Sequence, residues 1–137
     1  MKQGVIGIVL LLLGILGGCA SHYANMDALR AASPQATTVV PVPFGQAFAR
    51  VRERVSECFA MDPYRVLAQE TGTGAEVAVI AYTDVQGSNV WLGARLTPEG
   101  TARTRIDLNW GNANWERHAQ KVPAWAEGGS GCYQPSE

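Results

Sequence analysis

The stretch that decides the fold is residues 90–110, VWLGARLTPEGTARTRIDLNW. Apolar and polar side chains alternate on either side of PEG at 98–100, which predicts two antiparallel strands over 90–97 and 101–110. The three central residues suit a hairpin loop in which Gly100 adopts a positive φ. One face of the predicted hairpin is formed by Val90, Leu92, Ala94, Leu96, Ala102, Thr104, Ile106 and Leu108. This largely apolar face must be covered by other elements of the chain.

Two segments have the helical spacing needed to cover it. Residues 44–59 place apolar side chains on one side and arginine and glutamate on the other, which predicts an amphipathic helix with a solvated charged face. Residues 112–126 predict a second helix that Asn112 or Asn114 would cap. Pro123 lies inside this second helix and is expected to kink or split it.

The rest of the sheet comes from shorter apolar runs. Residues 64–70 and 75–83 predict strands on either side of TGTG at 71–74. Residues 39–42 could add a strand, which the neighbouring prolines would confine to an edge. The sequence therefore predicts an α+β fold with four antiparallel strands, or five with the edge strand, and two helices packed on one face. The predicted order is (β)-α-β-β-β-β-α.

The N-terminus has the pattern of an export signal. Lys2 precedes an apolar run at 4–18 of about 15 residues, whereas a membrane-spanning helix needs about 20. The run leads into Leu16-Gly17-Gly18-Cys19, which resembles the lipobox of bacterial lipoproteins. The resemblance implies cleavage before Cys19 and attachment of a diacylglycerol and an acyl chain such as palmitate to that cysteine. Because alanine rather than aspartate follows Cys19, the resemblance also implies anchoring in the outer membrane. An ordinary secretory signal or an uncleaved anchor is the alternative.

These patterns divide the chain into three parts. Residues 1–18 are the predicted signal peptide, 19–43 the lipidated cysteine with a flexible tether, and 44–137 a single α+β domain facing the periplasm. A tether of about 23 residues would have a reach of about 25–30 Å. The order of elements over 44–132 resembles helix-grip and TBP-like domains of small envelope lipoproteins of proteobacteria. Because this resemblance rests on no specific motif, it implies no site residue.

The cysteine count is informative once the lipid is assigned. Cys19 is consumed by the anchor, which leaves Cys58 and Cys132 as an even pair in an oxidising compartment. A disulfide between them would close a loop of about 75 residues and stabilise the domain by about 4 kcal/mol in the chain-entropy model. Two free thiols, with Cys58 as a small buried side chain, are the alternative.

Charge and motif content narrow the function classes. The chain has 11 Lys+Arg and 12 Asp+Glu, a net charge of −1, which argues against a nucleic-acid partner. Of the two histidines, His22 lies in the predicted tether and His118 is expected to be a surface or half-buried structural residue of the second helix. The sequence contains no nucleophile, phosphate-loop or metal-ligand motif, so we predict no catalytic residue, cofactor or metal.

One candidate binding face stands out on the hairpin. If 98–100 is the loop, Arg95 lies opposite Arg103 and Trp91 opposite Asp107, on the face opposite the apolar one. Trp91 would lie diagonal to Arg105, within reach of a cation–π contact. The predicted face therefore consists of Trp91, Arg95, Arg103 and Arg105, and could hold an anionic partner. Neutralisation by Glu76, Asp84 or Asp107 is the alternative. The other tryptophans, Trp110, Trp115 and Trp125, are expected in the core.

Two functions remain open at this point. The first is a non-enzymatic binding or assembly module of the cell envelope, held at the membrane lipid through Cys19 and contacting an envelope protein or another anionic component. The second is an envelope hydrolase acting on peptidoglycan or lipid, with carboxylates that only the fold brings together. The scarcity of nucleophile–base partners favours the first.

Overall fold

The computed structural model describes residues 23–83 and 87–132. Its elements in chain order are α1 (Met26–Ala31), β1 (Ala36–Val40), α2 (Phe44–Phe59), β2 (Tyr64–Glu70), β3 (Ala75–Thr83), β4 (Gly87–Glu99), β5 (Arg103–Trp110) and α3 (Ala113–Ala126). The strands form one antiparallel sheet in the order β1-β5-β4-β3-β2. The predicted α+β class with five strands is therefore confirmed.

The main core lies between the sheet and the pair α2 and α3, on what we call the helix face. The amphipathic pattern of α2 is confirmed, because its buried side chains are Ala47, Phe48, Val51, Val55 and Phe59. The opposite side of the sheet, which we call the outer face, carries α1 and a smaller apolar cluster. None of the described helices is long and apolar enough to cross a bilayer.

A register shift reverses the faces at the start of β4. Val79 pairs with Leu92 but Ile80 pairs with Val90, so Trp91 is an extra residue in β4. An extra residue of this kind breaks the alternation of side chains along a strand. Val90 therefore joins the outer cluster, while Trp91 packs against the helix-face core. The prediction that Trp91 points to the outer face is wrong, because it extended the alternation of residues 92–96 through this irregularity.

The β4–β5 hairpin is longer than predicted. Glu99 pairs with Arg103, so the turn consists of residues 100–102, and Gly100 has the expected positive φ of 68°. The partner of Arg95 is accordingly Asp107 and not Arg103. Because this shift along β5 is an even number of residues, each side chain of β5 keeps its predicted face. The turn begins at Gly100, whose positive φ it requires, and Pro98 belongs to β4.

The folded domain begins well before residue 44. Val90 N–H donates to the carbonyl oxygen of Tyr23 at 2.9 Å, α1 follows directly, and β1 pairs with β5 along its whole length. The predicted flexible tether over 19–43 is therefore wrong for residues 23–43, while residues 19–22 lie outside the described part. The edge strand considered over 39–42 is present as β1 over Ala36–Val40, whereas α1 has no apolar period because it buries a single side chain, Leu29.

The C-terminal helix continues through its proline. Asn112 is the N-cap, and its side chain accepts a hydrogen bond from Asn114 N–H at 3.0 Å, as expected. Pro123 does not split α3, contrary to the prediction, because the residues beyond it, Trp125 and Ala126, are held in the core. Glu127 N–H still donates to the Pro123 carbonyl at 3.2 Å, which completes the last turn.

The predicted disulfide is present. Cys58 and Cys132 have their sulfur atoms 1.97 Å apart and their Cα atoms 5.6 Å apart. The indole nitrogen of Trp125 donates to the carbonyl of Gly131 at 2.9 Å, which holds the segment approaching Cys132. The bond joins the end of α2 to the chain that follows α3.

Candidate functional site

A row of polar side chains crosses the outer face of the sheet. The strand register places Gln69, Glu76, Arg95, Asp107 and Thr37 side by side, one from each strand in the order β2, β3, β4, β5 and β1. Thr37 donates its hydroxyl to Asp107 Oδ1 at 2.7 Å, and Gln69 donates its side-chain amide to Glu76. Acceptors and donors thus alternate along the row.

Glu76 is the most confined charge in this row. Its side chain is 8% exposed, and Arg30 of α1 contacts both carboxylate oxygens, with Nη2 2.5 Å from Oε1 and Nε 3.1 Å from Oε2. The hydrogen bonds from Arg30 lower the pKa of Glu76, against the opposing effect of burial, and Gln69 and the charge of Arg95 add to the lowering. The same pair raises the pKa of Arg30. Glu76 is therefore an ionised structural carboxylate that fixes α1 to the sheet.

Arg95 lies between two carboxylates in the sheet. Its neighbours across the strands are Glu76 and Asp107, and its Nη2 donates to the carbonyl oxygen of Arg30 at 3.2 Å. This arrangement agrees with the alternative interpretation, in which Glu76 or Asp107 balances the arginine face. Asp84, the third residue considered there, lies outside the described residues.

The sheet separates the predicted binding residues. Arg105 is half-buried, pairs with Thr97 across the strands, and has its Nε 3.4 Å from Asp107 Oδ2. Arg103 is exposed at the hairpin turn. Trp91 is on the helix face. The cation–π contact predicted between Trp91 and Arg105 is therefore wrong, and so is the pairing of two arginines.

A groove on the outer face brings together residues that the sequence did not connect. It has a volume of about 280 Å³ and is lined by Arg30, Thr71, Thr73, Glu76 and Arg95, and we call it the arginine groove. Two guanidinium groups and one carboxylate give its lining a net charge of +1. The two threonines add hydroxyl groups that can donate hydrogen bonds. Guanidinium and hydroxyl donors around an open volume are suited to an oxyanion such as a carboxylate or phosphate.

The geometry of the groove depends on a tight turn between β2 and β3. Gly74 N–H donates to Thr71 Oγ1 at 3.1 Å, and Thr71 N–H donates to the Gly74 carbonyl at 2.8 Å. A Cβ at position 74 would lie 2.0 Å from the carbonyl oxygen of Leu96, so only glycine allows β4 this close. The turn thereby places Thr71 and Thr73 beside Arg95.

An aromatic cluster occupies the helix face at the end of the sheet where β4 begins. Rings surround Trp115, with centroid distances of 5.2 Å to Phe59, 5.3 Å to Tyr64, 6.1 Å to Trp91 and 5.0 Å to His118. Burial lowers the pKa of His118, which favours the neutral imidazole. His118 is thus a half-buried packing residue, as expected, and the sheet lies between it and the arginine groove.

The described residues offer no other reactive group to the groove. Cys58 and Cys132 are bonded to each other, and within residues 23–83 and 87–132 no three His, Cys, Asp or Glu side chains are grouped as metal ligands would be. His22 and Cys19 lie outside the described residues. Among the described residues, the donors that line the groove are the guanidinium groups of Arg30 and Arg95 and the hydroxyl groups of Thr71 and Thr73.

Comparison with known proteins adds no family to this description. No family model matches the chain, and no curated protein is detectably similar to it.

Proposed function

We propose that this chain is a lipid-anchored protein of the bacterial cell envelope whose domain is a non-enzymatic binding module, with the arginine groove as the site for an anionic group of its partner. The observation that carries the proposal is the position of Arg95. Arg95 is half-buried, and its guanidinium, which donates to the Arg30 carbonyl, lines an open groove whose lining side chains carry a net positive charge. A preoriented arginine loses little side-chain entropy when it binds an anion.

The groove is better suited to binding than to hydrolysis. A carboxylate that acts as a general acid near neutral pH needs a raised pKa. The one carboxylate of the arginine groove, Glu76, has a lowered pKa, and its oxygens already accept hydrogen bonds from Arg30 and Gln69. No observation of the site therefore favours the hydrolase alternative.

The anchor follows from the N-terminal pattern. Leu16-Gly17-Gly18-Cys19 supports lipidation of Cys19, and Ala20 supports the outer membrane as the destination. Mass spectrometry of the N-terminal peptide from purified membranes tests this part. We expect a peptide that begins at Cys19 and carries diacylglycerol and an acyl chain. An unmodified Cys19, or retention of residues 1–18, would contradict the anchor.

A capture experiment tests the binding part. The lipidated protein, immobilised in detergent, is exposed to solubilised envelope as wild type, Arg95→Gln and Arg103→Gln. Both substitutions remove one positive charge from the outer face, but only Arg95 lines the arginine groove. We expect at least one envelope component to be retained by the wild type and by Arg103→Gln, and lost by Arg95→Gln. The same retained components in all three samples would contradict the proposed site.

A further inference from the structure

We infer that the end of the domain where β4 begins rests on the bilayer that holds the lipid of Cys19, with the arginine groove held away from the headgroups. This inference depends on the anchor in the proposed function but not on what the groove binds. The membrane-facing part, which we call the aromatic end, consists of the exposed Met61 and the half-buried Tyr64, Trp91 and His118.

The first argument is chain length. Cys19 and Tyr23 are four residues apart, so the chain between them spans at most about 14 Å. Tyr23 is fixed to the sheet, because its carbonyl accepts from Val90 N–H at 2.9 Å and its hydroxyl contacts Gln35 and Asn109. A lipid on Cys19 would therefore hold this end of the sheet closer to the membrane surface than the predicted flexible tether of about 23 residues.

The second argument is the chemistry of the same end. Tyr64, Ala81 and Asn89 are neighbours across β2, β3 and β4, one step from the strand position that binds Tyr23. Beside them Met61 is 60% exposed, the most exposed large hydrophobic side chain among the described residues. Tyr64 is a half-buried ring with an apolar body and a polar tip, a type enriched at membrane interfaces, whereas Trp91 Nε1 and His118 Nδ1 are themselves buried.

The opposite end of the domain combines exposed charges with an exposed apolar side chain, Val39, which is 41% exposed. It carries the β2–β3 turn, the β4–β5 hairpin turn and the end of α3, and its exposed side chains include Glu70, Arg103 and Glu127. Exposed charges also lie beside the aromatic end, at Asp62 and Arg65. Because both ends mix charged and apolar side chains, the orientation rests on the short connection to Cys19, and the exposed Met61 agrees with it.

The orientation sets where the arginine groove lies. Arg95 is five residues beyond Val90 along β4, a distance of about 17 Å at the rise of a strand. With the aromatic end on the bilayer, the groove opens to the aqueous space beyond the headgroups. Its anion then comes from a component of that space and not from the lipid that anchors the protein.

Site-specific quenching tests the orientation in the full lipidated protein. The protein is reconstituted into phosphatidylcholine vesicles that contain a headgroup-spin-labelled lipid, with a thiol-linked fluorophore on Met61→Cys or, as the distal control, on Thr101→Cys. Both positions are exposed, so neither substitution removes a core side chain. Ala60→Cys and Ala102→Cys form a second exposed pair at the same two ends.

We expect quenching by the spin-labelled lipid to be several-fold stronger at residues 60 and 61 than at 101 and 102. Equal quenching at the two ends, or stronger quenching at the hairpin, in protein that floats with the vesicles would overturn the orientation and leave the anchor intact. Protein that fails to float with the vesicles would overturn the anchor and the orientation together. Loss of partner capture by Arg95→Gln is measured in the separate capture experiment and tests only the arginine groove.

Discussion

Replacing Arg30 with methionine tests how α1 is held on the outer face. Arg30→Met keeps much of the side-chain stem but removes the contacts to both oxygens of Glu76, which is 8% exposed. Charge-assisted hydrogen bonds contribute about 1.5–3 kcal/mol each to stability. The Arg30 side chain is 41% exposed, and screening by solvent reduces this contribution. Because Gln69 and the charge of Arg95 remain near Glu76, we expect a net loss of about 2 kcal/mol in the free energy of unfolding at pH 7.

The pH dependence of that loss identifies its cause. The pKa of Glu76 is lowered below its usual 4.5 in the folded protein, so the stability it contributes is present above about pH 4.5 and is lost as the pH falls through the lowered value. In urea titrations, the difference between wild type and Arg30→Met should therefore be largest at neutral pH and shrink as the pH falls below about 4.5.

The matched control is Arg103→Met, which makes the same chemical change at an exposed position of the hairpin turn. We expect it to alter the free energy of unfolding by less than about 0.5 kcal/mol at any pH. A loss in Arg30→Met that equals the control, or that stays constant between neutral and acid pH, would refute the role assigned to the Arg30–Glu76 pair.

Three further predictions follow from the packing. Gly74→Ala should lower the free energy of unfolding by more than about 2 kcal/mol, because its Cβ would lie 2.0 Å from the carbonyl oxygen of Leu96. Gly72→Ala, which has open space around it, should lower the free energy of unfolding by less than about 1 kcal/mol. Equal losses in parallel urea titrations would contradict the close approach of β4 to Gly74. Because burial lowers the pKa of His118 below its usual 6.5, the stability of the domain should fall as the pH falls below about 6.5. His118→Leu should make the thermal unfolding temperature depend less on pH in this range. An unchanged dependence would count against burial of the neutral ring. Cys132→Ser should cost about 2–4 kcal/mol and make stability insensitive to dithiothreitol, and continued sensitivity would argue against the disulfide.

The elements of the helix face could be predicted because each has a local signal. The bounds of α2, β2 and β3 agree with the predicted 44–59, 64–70 and 75–83. In each case a periodic run of apolar residues is flanked by proline or glycine, so a short stretch of sequence indicates both the element and its limits. The α+β class follows from the order of these elements alone.

The outer face could be predicted only in part, because many of its contacts join residues that are distant in sequence. Arg30 meets Glu76 across 46 residues, from a helix of six residues with one buried side chain. The face of Trp91 depended on an extra residue opposite Val79 and Ile80, which alternation cannot reveal. Arg95 was identified as a candidate, but the threonines of the arginine groove reach it only through the β2–β3 turn.

Nuclear magnetic resonance of the arginine side chains tests the central claim, that the arginine groove binds an anion. The Nε–Hε signals of the mature lipoprotein in nanodiscs are followed during titration with sodium phosphate and with sodium acetate at constant ionic strength. The account predicts saturable shifts for Arg30 and Arg95, no saturable shift for Arg103, and loss of the Arg30 response in Arg95→Gln. Shifts of equal size for all three arginines, or no saturable shift for Arg30 and Arg95 with either anion, would contradict it.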